Sequence, residues 1–146
     1  GKYSEQIQHL QLMSTISANT LIQNALVEFV SSHHYEKHLR QLRRRLEKNK
    51  KRFTQYLKQH LGQCCEIYSF SGGYFIWIKL PLYLNSLELY HQLITQQIGV
   101  APSALFNVLE NNQHAIRLNC SFEWSPSIQT GLDTLIDSIL NIQIQS

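Results

Sequence analysis

Apolar residues in the first part of the chain recur with the period of an α-helix. In the segment 18–32 they fall at Leu21, Ile22, Ala25, Leu26, Phe29 and Val30, which share one broad helical face. A longer stripe follows from His34 to about Leu61, with apolar or aromatic residues at Tyr35, Leu39, Leu42, Leu46, Phe53, Leu57 and Leu61. The pattern predicts two helices, the second much longer than the first and ended by Gly62.

After Gly62 the period changes from about 3.6 residues to 2. Two runs rich in β-branched and aromatic residues, CCEIYSF and YFIWIKLP, are separated by the short stretch SGG. This arrangement predicts a β-hairpin, because glycine accepts the positive φ angles that a tight turn requires. In the second run both faces are largely apolar, and Pro81 ends it. We therefore expect this strand to lie inside a sheet that is covered on both sides.

The remaining residues alternate between helix and strand. The pattern predicts a helix over 86–97, a short strand that enters a loop in GVAPSALF, a polar connection in NVLENNQH and a further strand in AIRLNCSF. A last helix follows in SPSIQTGLDTLIDSILNI, with Ser125 as its N-cap and Pro126 at its first position. The predicted fold class is α+β, with helices packed on a small, mostly antiparallel sheet. We expect a single domain over 1–146, helical over 1–62 and α+β over 63–146.

Composition adds little that is unusual. With 146 residues, 43% hydrophobic and 16% charged, the chain is typical of one globular domain with its own core. It carries neither a secretory signal pattern nor a run of about 20 apolar residues, so a cytoplasmic protein without a membrane span is expected. The sequence does not begin with methionine, which suggests a piece of a longer polypeptide.

The three cysteines indicate a reducing compartment and no disulfide framework. Cys64 and Cys65 are adjacent in a predicted strand, so their side chains are expected on opposite faces. The histidines are not spaced as a metal site requires, and no metal is expected.

Positive charge is concentrated in the long helix. Ten of the thirteen basic residues lie between Lys37 and Lys58, where Glu47 is the single acid. A solvated surface or an interface with another domain explains this distribution best, and contact with nucleic-acid phosphates is the alternative.

Arg117 is the strongest candidate for a binding residue. It lies between Ile116 and Leu118 in a strand that is expected to run through the interior. Buried arginine is rare unless it is paired, and its planar guanidinium suits a carboxylate. The partner is either an internal acid, for which Glu66 and Glu123 are candidates, or a bound ligand. Two weaker signals, the glycine pair in SGGY and the loop at Pro102, are explained as readily by an ordinary turn and an ordinary connection.

Four segments together carry a family resemblance. YEKHLRQLRRRLEKNKKRF, SFSGGYFIWIKLP, GVAPSALF and AIRLNCSF, in this order, resemble the C-terminal part of the fold type I pyridoxal-phosphate-dependent aminotransferases. The likeness is greatest to the aminotransferase-like domain of the MocR branch of the GntR-type transcription regulators. The chain departs from the family at Ser103, where glycine is usual after proline, at Leu46, where tyrosine is frequent, and at Cys120, where an aromatic residue is common.

The resemblance implies that this chain performs one part of the function of a longer protein. The family's strand arginine binds the α-carboxylate of an amino acid, a role that falls to Arg117 here. None of the chain's lysines lies in the motif that forms the Schiff base with the cofactor, so no catalytic residue is assigned. Pyridoxal phosphate is expected in the full-length parent and not on this chain alone, which is not expected to be active by itself.

Three functions follow as hypotheses. The first is the ligand-clamp domain of a regulator that binds an amino acid or other small carboxylate, contacts DNA through a separate N-terminal domain, and forms a homodimer. The second is the small domain of a stand-alone aminotransferase. The third is an independent interaction module that binds an acidic partner through its basic helix.

Overall fold

The computed structural model describes residues 1–14, 20–106 and 113–142, with the side chains of Ser14 and Ile142 left aside. Five α-helices lie within these ranges: α1 (Ser4–Ser14), α2 (Thr20–Val30), α3 (His33–Leu61), α4 (Ser86–Thr95) and α5 (Pro126–Ile142). Four strands accompany them: β1 (Glu66–Tyr68), β2 (Phe75–Lys79), β3 (Ala101–Pro102) and β4 (Ala115–Asn119). A short 3₁₀ helix, Ser103–Leu105, follows β3. The predicted polar connection falls mostly on 107–112, outside the described residues.

The chain divides into two units, Gly1–Leu42 and Arg43–Ser146, and α3 contributes residues to both. In the first unit Ser32 caps α3: its hydroxyl accepts a hydrogen bond from the Tyr35 amide at 3.3 Å. The rings of Phe29 and Tyr35 meet edge to face across the junction of α2 and α3, with centroids 5.5 Å apart. Helix α1 was missed at the sequence level, because its apolar residues do not form a helical stripe.

The predicted face of α2 is present, but no described residue of α2 is buried. Leu26, Val27, Phe29 and Val30 are each more than half exposed. An amphipathic helix ordinarily buries its apolar face, so this surface is suited to contact with a further part of the protein.

In the second unit the sheet is entirely antiparallel, in the order β1-β2-β4-β3. This confirms the predicted fold class and the internal position of β2, which pairs with β1 on one side and β4 on the other. The hairpin turn between β1 and β2 has positive φ at Gly72 and Gly73, as expected from the glycine pair. The strands are shorter than predicted, since β1 begins only at Glu66.

That shorter β1 corrects the prediction for the cysteines. Cys64 and Cys65 precede the strand and do not lie in it, and their sulfur atoms are 3.7 Å apart and not on opposite faces. Burial raises the pKa of the Cys65 thiol to about 12, as it does for Cys120. All three cysteines are free, and the described residues contain no group of three potential metal ligands.

The core lies between one sheet face and the helices. Alternation along the strands directs Ile76, Ile78 and Ile116 to this face, and all three are fully buried. The second part of α3 contributes Phe53, Leu57 and Leu61 to the same cluster, together with residues of α4 and α5. Helix α5 begins as predicted, with the Ser125 hydroxyl accepting from the Ile128 amide at 3.2 Å. No described helix is long and apolar enough to cross a membrane.

Two glycines in helical surroundings should respond oppositely to alanine. At Gly62 a Cβ would lie 2.4 Å from the Lys58 carbonyl oxygen, so the helix end must shift, and Gly62→Ala should cost about 1–2 kcal/mol of stability. Gly131, inside α5, has nothing within 4 Å of such a Cβ. Gly131→Ala should therefore add about 0.5–1 kcal/mol through helix propensity. Urea unfolding of the two variants measures both changes in the free energy of unfolding. Equal changes of the same sign would contradict the difference between the surroundings of Gly62 and Gly131.

Candidate functional site

The candidate site lies on the sheet face opposite the core. On β4 the alternation that buries Ile116 and Leu118 directs Arg117 to this other face. Arg117 is directly opposite Trp77 of β2 and Ala101 of β3, so it is placed in the middle of the sheet. Its strand is interior as expected, but the side chain is half-buried and avoids the apolar core.

Two aromatic rings hold the guanidinium. The Cζ atom of Arg117 lies 4.1 Å from the ring centroid of Phe75 on β2 and 4.0 Å from that of Phe106. Both distances are within the range of a cation–π interaction. Phe106 in turn meets Trp77 edge to face, with centroids 5.5 Å apart. The rings orient the arginine without neutralising its charge.

Arg117 has no acidic partner among the described residues. Glu66 bonds to Lys79 at 2.6 Å, and Glu123 bonds to Arg45 at 2.5 Å, so both candidate acids are committed elsewhere. The Lys79 hydrogen bond holds the pKa of the Glu66 carboxyl below its ordinary value, and Glu66 is therefore ionised at neutral pH.

One nitrogen atom of the Arg117 side chain lacks a hydrogen-bond partner among the described residues. The Nε of Arg117 is buried and has no hydrogen-bond partner in the described part of the chain. A buried donor without a partner costs about 1–3 kcal/mol. The charge and the fork geometry of the guanidinium suit an anion with two oxygens.

The loop after β3 brings Phe106 into this arrangement. Pro102 is fully buried, and Ser103, which stands where the family usually has glycine, starts the 3₁₀ helix at 2% exposure. The Ser103 hydroxyl lies 3.4 Å from that of Ser86 at the start of α4. Neither Pro102 nor Ser103 has a positive φ, so serine is tolerated there without backbone strain.

Next to the arginine the same sheet face carries an open depression of about 400 Å³. It is lined by Tyr68, Phe70, Trp77, Lys79 and Ala115. The rings of Tyr68 and Phe70 stack with centroids 6.4 Å apart, so the floor of the depression is aromatic. Sequence reasoning did not identify these residues or the two rings on Arg117, because the register between β2 and β4 decides which residues are neighbours.

Two lysines, Lys79 and Lys50, are engaged in contacts within the described part of the chain. The Lys79 amine is paired with Glu66, and the Lys50 amine donates to the Phe70 and Gly72 carbonyl oxygens at 2.6 Å each.

Comparison with known proteins decides the family. The family model for aminotransferase class I and II matches residues 4–123. The chain belongs to the aminotransferase class I and II family. Members of this family use pyridoxal phosphate in their full-length form, and the predicted resemblance to fold type I is confirmed.

Two curated relatives of this aminotransferase-family chain are regulators from Escherichia coli K12. It is 40% identical over 124 residues to the uncharacterized HTH-type transcriptional regulator YdcR, and 24% identical over 141 residues to the similarly described YjiR. These alignments cover 85% and 95% of the chain but 26% and 30% of the two regulators. The chain therefore spans about a quarter to a third of the length of these relatives.

Solved structures confirm the fold. LysN, the α-aminoadipate aminotransferase from Thermus thermophilus, superposes on 97% of this aminotransferase-family chain with a TM-score of 0.82 at 16% identity. The match covers 37% of LysN. The kynurenine aminotransferase from Pyrococcus horikoshii gives a TM-score of 0.80 over 94% of the chain at 19% identity.

Proposed function

We propose that this chain is the C-terminal ligand-clamp domain of an aminotransferase-like transcription regulator of the MocR/GntR type. In this proposal Arg117 binds the carboxylate of an amino-acid effector. The observation that carries it is the guanidinium of Arg117, which has no acidic partner among the residues that the structure describes and is oriented by Phe75 and Phe106 on the open face of the sheet. The two E. coli relatives, which are HTH-type regulators, support the assignment to a regulator.

The clamp acts by position. A guanidinium that forms two parallel hydrogen bonds with a carboxylate holds the amino acid in one orientation and also increases its affinity. The aromatic rings on the guanidinium keep its side chain in one rotamer, so less conformational entropy is lost when the ligand arrives. The pyridoxal phosphate is assigned to parts of the longer protein outside this chain, and no step in the proposal depends on the chain's own lysines.

Exposed apolar surface supports a longer and dimeric protein. A helix such as α2, with six large apolar side chains more than half exposed, is seldom left in water. We propose that the rest of the polypeptide and a second copy cover this helix. DNA binding belongs in this proposal to a separate N-terminal domain.

The test is a titration of the full-length, cofactor-loaded protein on DNA. Affinity for a duplex, selected by the protein from a random pool, is measured with each common amino acid and with the matching amine that lacks the carboxylate. We expect one amino acid to change the DNA affinity by about 5- to 150-fold, the usual range of allosteric coupling, and its amine to have no effect. An unchanged DNA affinity with every amino acid would refute the regulator.

The second candidate is the small domain of a stand-alone aminotransferase. The superposition on LysN favours it, because the described fold is shared with an enzyme of that class. Steady formation of a keto acid by a full-length protein that binds no DNA would establish this alternative, with Arg117 in the same carboxylate-binding role.

A further inference from the structure

The basic residues of helix α3 include some that contact other residues of the fold and others that are exposed to solvent. Three basic residues of the second unit have partners within the fold. Arg45 is ion-paired with Glu123, Arg52 lies 4.5 Å from the ring centroid of Trp124, and the Lys50 amine is bonded to two carbonyl oxygens. These residues contribute to the fold and are not available to an external ligand.

Four other basic residues form what we call the basic stripe: Arg44, Lys48, Lys51 and Lys58. They are spaced at i, i+4, i+7 and i+14, so they share one face of α3 over about 21 Å. All four are exposed, and none has an ion pair or side-chain hydrogen bond in the described part of the chain. Like charges at such spacings destabilise a helix. Glu47, three residues after Arg44 and four before Lys51, offsets part of this repulsion, and an external polyanion would remove the rest.

A groove of about 750 Å³ lies beside the second half of the basic stripe. Lys51 and Lys58 lie on one wall, and the turn 69–73 forms the other with exposed Ser71, Gly72 and Gly73. Lys50 ties that turn to the helix from beneath. The groove is therefore bounded by two walls that are fixed to each other.

The residue types in the stripe indicate whether a nucleic acid or an acidic protein is the better partner. Protein interfaces depend on buried aromatic or aliphatic anchors. The groove beside the stripe offers Leu46 and the exposed ring of Phe70, whereas the stripe itself consists of charged side chains. Binding to a phosphate backbone needs only positive charge and hydrogen-bond donors in a row. The stripe thus fits a nucleic-acid backbone better than it fits an acidic protein.

We propose that the basic stripe contacts the phosphates of DNA that flanks the site bound by the N-terminal domain of the same protein. The inference rests on the proposed regulator function, and it gives this chain a direct, sequence-independent share of DNA binding. Ligand-dependent movement of the domain would then alter DNA contacts at two places and not only one.

The test uses the full-length protein and two duplexes. The shorter carries only the selected site, and the longer extends it by about 20 base pairs on each side. In the stripe variant Lys48, Lys51 and Lys58 are replaced by glutamine. On the longer duplex we expect affinity to fall at least about tenfold near 0.1 M salt, and the slope of log K against log salt to become shallower by about 2 to 3. On the shorter duplex the variant and the wild type should agree.

A second triple variant provides the matched control. It replaces Lys2, Arg45 and Arg52 by glutamine, which removes the same charge from exposed positions outside the stripe, because Arg45 and Arg52 lie about 80–100° around α3 from Arg44. We expect this control to retain both the affinity and the salt slope. Far-ultraviolet circular dichroism checks that both variants keep their helix content.

The outcomes distinguish this inference from the function on which it rests. If the wild type binds no selected duplex, the regulator function fails and the inference fails with it. If the wild type binds and responds to an amino acid but the stripe variant behaves like the control, the inference alone is overturned. Stripe-dependent binding of polyglutamate with unchanged DNA binding would assign the surface to an acidic protein instead, and would also overturn it.

Discussion

Arg117→Ala should weaken amino-acid binding by the full-length protein about 100-fold and leave cofactor binding nearly unchanged. Two charge-assisted hydrogen bonds are lost, each contributing about 1.5–3 kcal/mol, and the smaller value for each corresponds to roughly this factor. The cofactor retains its affinity because the chain's proposed role is confined to the carboxylate of the amino acid. Calorimetric titration with the effector measures the first quantity, and absorbance titration with the cofactor measures the second.

Two further variants isolate the guanidinium from its packing. Arg117→Met keeps an unbranched side chain against Phe75 and Phe106 but removes the charge, and it should lose nearly as much affinity as alanine. Arg45→Met removes an exposed, ion-paired arginine of the same unit and should bind the effector normally. The wild type should discriminate strongly between the amino acid and its decarboxylated amine, whereas Arg117→Met should discriminate little. Full affinity in both Arg117 variants would assign this residue to a structural role.

Lys50→Met should destabilise the chain by about 2–3 kcal/mol and loosen the hairpin turn. Lys50 is 7% exposed, and its ammonium group donates two hydrogen bonds of 2.6 Å to carbonyl oxygens in the turn. Methionine replaces the aliphatic stem but leaves these two carbonyl groups without their charged donor. Urea unfolding measures the loss, and hydrogen exchange should accelerate over 69–73.

The neighbouring residue supplies the control for this change. Lys51 lies on the same helix and is exposed, so Lys51→Met should alter stability by less than about 0.5 kcal/mol. Equal effects of the two substitutions would mean that the buried ammonium does not hold the turn.

The local sequence pattern was sufficient to predict most of the secondary structure of the second unit. The hairpin around Gly72 and Gly73, the cap at Ser125 and the interior position of β2 all depend on residues close in sequence, and each was predicted from them. Helix α1 was missed because its residues at Ile7, Leu10, Leu12 and Met13 are all exposed and follow no helical stripe. Helix α2 also has no buried residue among those described but was predicted from its stripe, so the missing periodicity, and not the exposure, is the reason that α1 was missed.

The surroundings of Arg117 depend on information that is absent from any short window. Its position on β4 could be predicted from AIRLN alone, but its contact with Phe75 requires the register between β2 and β4. The contact with Phe106 requires the path of the chain after β3. Lys50 illustrates the same limit, because nothing in a run of cations distinguishes the one whose partners are backbone carbonyls about 20 residues away.

The two edge strands of the sheet are short, which affects how readily the sheet can pair with a strand of another molecule. At one edge β1 has three residues, of which Glu66 is ion-paired with Lys79 of β2, and at the other edge β3 has two residues and ends in Pro102. Short, charged or proline-containing edges offer few free backbone groups to a strand from another molecule. The two edges of this sheet therefore disfavour the edge-to-edge pairing of copies into fibrils.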